Sequence, residues 1–415
     1  MRPIVCAAAL AAAFLGSAPA FGQDTADSGA DPAWWPEYTE FFGEFALEAT
    51  LFPETPQFPG QANHAGSVAG EATLLAEWLD GDLAVEVTPF ARFDFADQER
   101  SNFDVRTAKV DYAFGDWALR LGADRIFWGR AEAFHLVDIV NQTDAAEDLD
   151  DEDRLGQPMI RLARLTDIGE FSAIYFPYNR TRRFPGADGR LRTEPRVDDD
   201  APIFEPSANR FAPSFALRYS GFVGPVDLGI SMFHGLARDP SFTFDPTTGR
   251  LRPVYSRITQ GAVDFQYTSG ATLWKFEGLV RAGERDVTFD KSFFGAATGG
   301  LEHTLFGLFG SNADLGLILE YAVDSRFDDA NTIFQNDLIL GTRLALNDVD
   351  DTSVLLTGTG DLEDGSLAFR AEAERRLGER VKLSLEAQIF DLRSTGIAAS
   401  LADDSFVRLK LGVFF

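Results

Sequence analysis

Acidic side chains crowd into one stretch of this chain. Leu121 to Pro158, LGADRIFWGRAEAFHLVDIVNQTDAAEDLDDEDRLGQP, carries Glu132, Asp138, Asp144, Glu147, Asp148, Asp150, Asp151, Glu152 and Asp153 against Arg130 and Arg154. So many carboxylates could ligate a hard cation. The run D-A-A-E-D-L-D-D-E-D, however, lacks the central Gly and the spaced final Glu of an EF-hand loop. Two other uses fit a charge run of this kind: a solvated surface, or a charged lining that filters ions. Acid–base or nucleophilic catalysis finds less material. His64, His135, His234 and His303 are scattered, and none has nucleophile-elbow or metal-binding spacing. No phosphate-cradling loop is present. The expectation is a protein that is not an enzyme and uses no cofactor or metal. A second charged stretch, RRFPGADGRLRTEPRVDDDAP, holds Arg182, Arg183, Arg190, Arg192 and Arg196 before Asp198 to Asp200. It reads as a self-neutralising surface loop or as an anion site.

A charged lining needs an opposing wall, and the chain supplies one through period-two patterning. Successive strand side chains point to opposite faces. In DLAVEVTPFARFDFA, Leu83, Val85, Val87 and Phe93 share one face, with Glu86 and Arg92 on the other. DLGLILEYAVD and RVKLSLEAQIF repeat the pattern, and the chain ends on it: Val407, Leu409, Leu411, Val413 and Phe415 oppose Arg408 and Lys410. The basic residues on polar faces that form the candidate wall are Arg92, Lys109, Arg120, Arg161, Arg218, Arg343, Arg370, Lys382, Arg408 and Lys410. An acidic loop facing such a wall would set up a transverse field.

Strands of about ten residues, apolar on one side and polar on the other, are the pattern of a transmembrane antiparallel β-barrel. Short turns rich in Gly, Asn and Asp recur near residues 81, 115, 168, 224, 270, 312, 349 and 378. Longer segments alternate with them, near 52–66, 96–101, 129–156, 181–210, 238–253, 284–292, 326–332, 361–365 and 393–402. These connections predict about 18 strands; 16 is the alternative, because 285–310 is irregular. Aromatic residues gather where interfacial girdles belong, among them Trp78, Tyr112, Trp117, Phe222, Phe309 and Phe415 at one end, with Phe93, Phe95, Phe127 and Trp128 at the other. Phe90, Phe233, Phe390 and Phe406 are predicted to point inward.

Residues 1–20 read as a secretory signal: Arg2, a short apolar run from Ile4, then Ala18-Pro19-Ala20. The only cysteine, Cys6, lies within it. Residues 21–42 read as an N-terminal periplasmic segment or small plug, and 43–415 as the barrel. The net charge of −28 argues against nucleic acid, which needs a basic footprint.

Two stretches carry resemblances. Trp128-Gly129, a spacer and Val137-Asp138-Ile139-Val140-Asn141-x-x-Asp144 resemble a poorly characterised group of proteobacterial outer-membrane, porin-like barrels, although Gln142 stands where their Pro is common. Arg408 to Phe415 resembles the sorting signal read by the barrel assembly machinery, with Lys410 where a Gly is frequent. The resemblances imply an integral protein of the Gram-negative outer membrane, whose partners are lipid, lipopolysaccharide, the assembly machinery and small solutes. Monomer and homotrimer both stay open. In general porins, which this architecture resembles, the third loop folds into the lumen. That makes Asp144, Glu147, Asp148, Asp150, Asp151 and Asp153 the candidate constriction; a surface loop bridged to lipopolysaccharide is the alternative. The function expected is passive, charge- and size-filtered diffusion of small solutes. A sealed or narrow barrel, acting as a hydrophobic-ligand transporter or surface receptor, is the other reading.

Overall fold

The structure is a computed structural model that describes residues 35–148, 152–205, 209–332, 335–393 and 397–415. The expected signal segment and most of the following N-terminal stretch lie outside the described residues. From Glu37 onward the chain forms one compact unit.

Eighteen antiparallel strands make one sheet. In chain order they are β1 Tyr38–Leu51, β2 His64–Trp78, β3 Leu83–Asp94, β4 Asn102–Phe114, β5 Trp117–Asp124 and β6 Gln157–Thr166. Then come β7 Gly169–Phe176, β8 Ser214–Val223, β9 Val226–Leu236, β10 Arg257–Ser269, β11 Thr272–Arg285 and β12 Lys291–Leu305. The last six are β13 Asp314–Asp324, β14 Asn336–Ala345, β15 Ser353–Asp361, β16 Leu367–Arg376, β17 Val381–Asp391 and β18 Phe406–Phe414. Each pairs with its sequence neighbours, and β18 returns to β1 with Glu44 opposite Phe414 and Leu51 opposite Val407. The sheet is therefore closed, and no strand edge is left along this seam. The strand count is the 18 expected from the turn spacing. All eight short turns fall at one end, the short-turn end, and the nine longer connections at the other, the long-loop end.

Three local points differ from the sequence expectation. The region 285–310 is regular from Lys291 to Leu305; the irregularity is a register shift between Ala282 and Glu284, where Gly283 takes a positive φ of 92°. β1 begins at Tyr38, ahead of the expected barrel start at 43, because Tyr38 to Phe42 pair with β2 alone. Pro89 sits inside β3, and the ladder shifts register between Thr88 and Pro89, which accommodates the missing donor.

The alternation sorts side chains as anticipated. In β18, Val407 and Leu409 are 41% and 45% exposed, whereas Phe406 and Arg408 are 3% and 8%. An outward face this apolar is what lipid covers. The seam is closed at the short-turn end by Phe415. Gly43 and Phe415 exchange both backbone hydrogen bonds, at 3.0 and 3.1 Å. The Phe415 ring packs on Phe41, with centroids 5.6 Å apart, and lies over Gly43, where an added Cβ would stand 2.7 Å from Cζ. Gly43→Val forces this ring away and overpacks the seam, a change that costs about 1–3 kcal/mol. Urea titration of the protein refolded in lipid vesicles should show the loss, and an unchanged midpoint would contradict this view of the seam.

Candidate channel constriction

The third long loop, residues 125–156, is tied at its root and then crosses the barrel interior. Asn141, 1% exposed, is the knot. Its Nδ2 donates to the carbonyls of Asp124 at 2.7 Å and Leu155 at 2.9 Å, while its Oδ1 accepts from the Ile126 N–H at 2.8 Å. One side chain thus joins the end of β5 to the chain entering β6. Beside it, Gln142–Thr143 pairs antiparallel with Arg154–Leu155. The Trp-Gly…Asn segment singled out in the sequence is therefore a structural knot.

Beyond the root, the loop reaches the opposite wall. Glu277 on β11 accepts the N–H groups of Arg130 at 2.5 Å and Ala131 at 2.8 Å on Oε1, and that of Val137 at 3.1 Å on Oε2. Glu320 on β13 accepts from Glu132 at 2.9 Å and Ala133 at 3.3 Å. Arg130 forks onto Asp227 and also meets Asp264, on β9 and β10. Glu132 reaches Lys275 at 3.3 Å and Arg343 at 2.5 Å. Burial pushes the Glu132 carboxyl up, but Arg343 and Lys275 outweigh it and hold it below the ordinary carboxylate range. Between these anchors Leu136, Val137, Ile139 and Val140 pack with inward side chains of the wall, including Phe176, Phe233, Ile258, Phe294 and Ile339. Trp128 is buried here under the Arg218 guanidinium, 4.8 Å from the ring centroid. It does not join the outer girdle, because the chain has already turned inward at Ile126.

The acidic end lies against the other side of the barrel. Asp144 is fully buried, with Arg183 at 2.7 Å and Arg106 at 3.6 Å. Glu147 meets Arg92 on β3 at 2.7 Å, and Asp148 pairs with Arg408 on β18. Burial pushes the Glu147 carboxyl upward by more than Arg92 and Arg100 offset. The Asp153 carbonyl accepts the Asp144 N–H at 2.8 Å. Asp150 and Asp151 lie outside the described residues. Asp144, Glu147 and Asp148 thus each face a basic group.

The wall itself differs from the simple basic face read from spacing, because it carries its own counterions. Arg92 also meets Glu48 at 3.3 Å; Arg120 meets Asp111 at 2.7 Å and Asp124; Arg161 meets Glu170. Arg370 pairs with Glu372 and Glu386, Lys382 with Glu374 at 2.7 Å, and Lys410 with Glu44 at 3.1 Å. Strand alternation puts acids and bases on the same inward face, so neighbouring strands neutralise one another before any loop arrives. A loop-to-wall transverse field is weakened accordingly.

The fourth loop, 177–213, closes over the third. Within it Arg192 meets Glu194 at 2.6 Å and Arg183 acts electrostatically on Asp199; among the described residues no salt bridge from its arginines to Asp198, Asp199 or Asp200 is seen. Instead Arg182 reaches Asp239 at 2.6 Å, Arg183 reaches Asp144, and Arg190 reaches Asp404 at 2.6 Å. Burial pushes the Asp404 carboxyl up to about 6, against the pull of Arg190. Three loops meet at Arg238, which is 3% exposed. It donates to the carbonyls of Ile139 and Val140 at 3.1 and 3.2 Å and to Asn179 Oδ1 at 3.1 Å. Burial lowers its guanidinium to about 10, partly offset by Asp138 and Asp239.

Glu277, Glu320 and Arg238 were not singled out from the sequence. The available signal was chemical: Glu277 and Glu320 are carboxylates on the inward, polar face of their strands, both 0–1% exposed, with Lys275 4.0 Å from Glu320. What they bind, backbone N–H groups over a hundred residues away, has no sequence signature. Beneath the third loop, towards the short-turn end, lies a chamber of about 620 Å³ walled by β5 to β8. Among the described residues, no group of three or more His, Cys, Asp or Glu is arranged to hold a metal ion.

Known structures share this architecture. OccAB1 of Acinetobacter baumannii superposes with a TM-score of 0.55 at 7% identity, over 90% of this chain and 96% of that one. Wzi of Escherichia coli, an outer-membrane protein involved in group 1 capsule assembly and a carbohydrate-binding β-barrel, gives 0.51 at 12% identity, over 89% and 84%. A Rh. blastica porin mutant aligns over 91% of this chain and all of its own, at 12% identity and a TM-score of 0.45. No protein-family model and no curated protein sequence matches the chain. The fold is that of the porin-like barrels.

Replacing Glu277 by Ala strands three buried N–H groups, each costing about 1–3 kcal/mol. Hydrogen exchange at Arg130, Ala131 and Val137 should accelerate by at least about tenfold while the barrel strands stay protected. Unchanged exchange would show that the carboxylate does not hold the loop.

Proposed function

We propose that the protein is integral to the outer membrane and acts as a porin-like channel, passing small solutes by passive diffusion through a lumen narrowed by the third loop. The observation that carries this reading is the course of that loop, rooted on β5 and β6 and hydrogen-bonded across the interior to β11 and β13. An inward loop held at both ends leaves a restricted path and filters by size. Asp148 with Arg408 and Glu147 with Arg92 supply the charge of the filter. The process is diffusion and involves no bond chemistry. Assembly would proceed through the terminal Phe415 signal after removal of residues 1–20.

One observation favours a second reading. Val137, Ile139 and Val140 are 0–1% exposed within an apolar cluster that spans several strands, and the fourth loop stacks on the third. A lumen sealed by this packing would serve a ligand transporter or surface receptor.

Single-channel recording in a planar bilayer under a salt gradient separates the two. Steady small-conductance openings support the channel, and the double variant Glu277→Ala, Glu320→Ala should raise conductance and noise by freeing the loop. Asp148→Asn removes one of the three carboxylates around Arg408, leaving Glu386 and Glu48, and should move the reversal potential toward anion preference. A folded protein that stays silent in both wild type and double variant would sink the channel reading in favour of the sealed barrel.

A further inference from the structure

The outward face of the wall carries an arginine that no carboxylate meets among the described residues. Near the short-turn end, five outward residues are consecutive ladder partners on β4 to β8: Phe114, Trp117, Arg164, Phe171 and Tyr219. Four of them are aromatic, as suits a row at a membrane interface. The middle one is Arg164 on β6. It shares the outward face with Ile160 and Leu162, which are 43% and 38% exposed, whereas the inward-facing Met159 and Ala163 are 2%.

Arg164 is exposed and forms no hydrogen bond or salt bridge with a described residue. Asp116 and Asp167, in the turns at this end, do not pair with it. What it touches is Trp117, whose ring centroid lies 5.3 Å from the guanidinium carbon. On the other side of the row Phe171 packs on Tyr219, with centroids 5.0 Å apart, and the Tyr219 hydroxyl donates to the Ile168 carbonyl at 2.6 Å. The cation thus stands between a ring of β5 and a braced pair of rings on β7 and β8. Its isolation is specific to this place. Arg375 on β16 shares the outward face with Phe369 at the same end of the barrel, and Asp350 and Asp348 meet it at 2.5 and 3.7 Å. A chain with a net charge of −28 is not short of acids, so the open guanidinium is a property of the site.

An unpaired charge beside hydrocarbon is costly, and a long cationic side chain there reaches for the polar interface. The anion that the interface supplies is lipid phosphate. Guanidinium matches two phosphate oxygens through paired N–H donors. Towards mid-wall, the next ladder row sets Ala173 between Leu162 and Leu217. The small side chain leaves a dip beside Leu162 in which an acyl chain can lie. We propose that Arg164 and the rings around it bind the phosphodiester head group of a glycerophospholipid in the leaflet at the short-turn end. The phosphate docks on the guanidinium, Trp117 positions the cation, and one acyl chain runs along Leu162 and Ala173. The site faces the membrane and not the lumen, so it depends on the barrel being transmembrane and not on whether it conducts.

Native mass spectrometry of the folded full chain, released from detergent, tests this with dioleoyl phosphatidylglycerol, dioleoylglycerol and inorganic phosphate as probes. Phosphatidylglycerol should be retained. Dioleoylglycerol, which has the chains without the phosphate, and inorganic phosphate, which has no chains, should be retained at least about tenfold less. Arg164→Gln should cut phosphatidylglycerol retention about tenfold, the equivalent of one charge-assisted contact. Arg164→Lys, which keeps the charge without the fork, should fall between the two. Arg380→Gln removes an equal charge from an exposed turn at the same end and should change nothing. Circular dichroism confirms that each variant is folded. A wild type that retains no phosphatidylglycerol, or an Arg164→Gln variant that retains it normally, overturns the proposal. Inorganic phosphate held as firmly as the lipid overturns the head-group assignment. An oligomer that needs Arg164 and carries no lipid would give the guanidinium to a second copy of the chain, and also overturns it.

Discussion

A wall facing lipid has no water with which to satisfy its peptide groups, and that single constraint shapes this molecule. Each strand must find hydrogen bonds on both sides, so the sheet has to close, and β18 has to meet β1. Closure makes the first and last strands neighbours. It explains why the last residues alternate so strictly and why an aromatic residue terminates them: Phe415 completes a ladder with Gly43 and seals its short-turn end. It also divides every strand into an outward apolar face and an inward polar one, and thereby concentrates charge inside.

Concentrating charge inside a barrel raises a second problem, which the inward face solves locally. Isolated charges in a confined interior are expensive unless paired. Here neighbouring strands alternate acids and bases closely enough that Arg120, Arg161, Lys382 and Lys410 each have a carboxylate on the wall itself. The incoming loop then needs different partners. Its acidic end meets arginines of β3, β4 and β18, two of which it shares with wall carboxylates, while its middle offers backbone N–H groups to Glu277 and Glu320. Loop and wall are complementary in kind: bare carboxylates meet bare amides where the wall is acidic, and carboxylates meet guanidinium groups where it is basic.

This arrangement gives the interior three zones. Towards the long-loop end, the third, fourth and fifth loops are fastened together, with Arg238 joining all three. At mid-depth, an apolar cluster fixes the loop's path. Below it lies the chamber walled by β5 to β8, whose lining arginines Arg120, Arg130, Arg161 and Arg218 are each paired with a carboxylate.

Period-two patterning and turn chemistry determined the barrel, its 18 strands, the alternation of short and long connections and the inward set of charges. These are local properties, since side-chain direction along a strand follows from backbone geometry. The importance of the Trp128-to-Asp144 stretch was also legible, as a break in that periodicity. Only the tertiary structure decided what the break does. Asn141 is a knot because β5 and β6 bring Asp124 and Leu155 to it. Trp128 is buried, not interfacial, because the chain turns inward before it. The basic wall is self-compensated because ladder register sets which strand's acid faces which strand's base. Register, closure and loop course are relations between segments far apart in the chain, and no single segment encodes them.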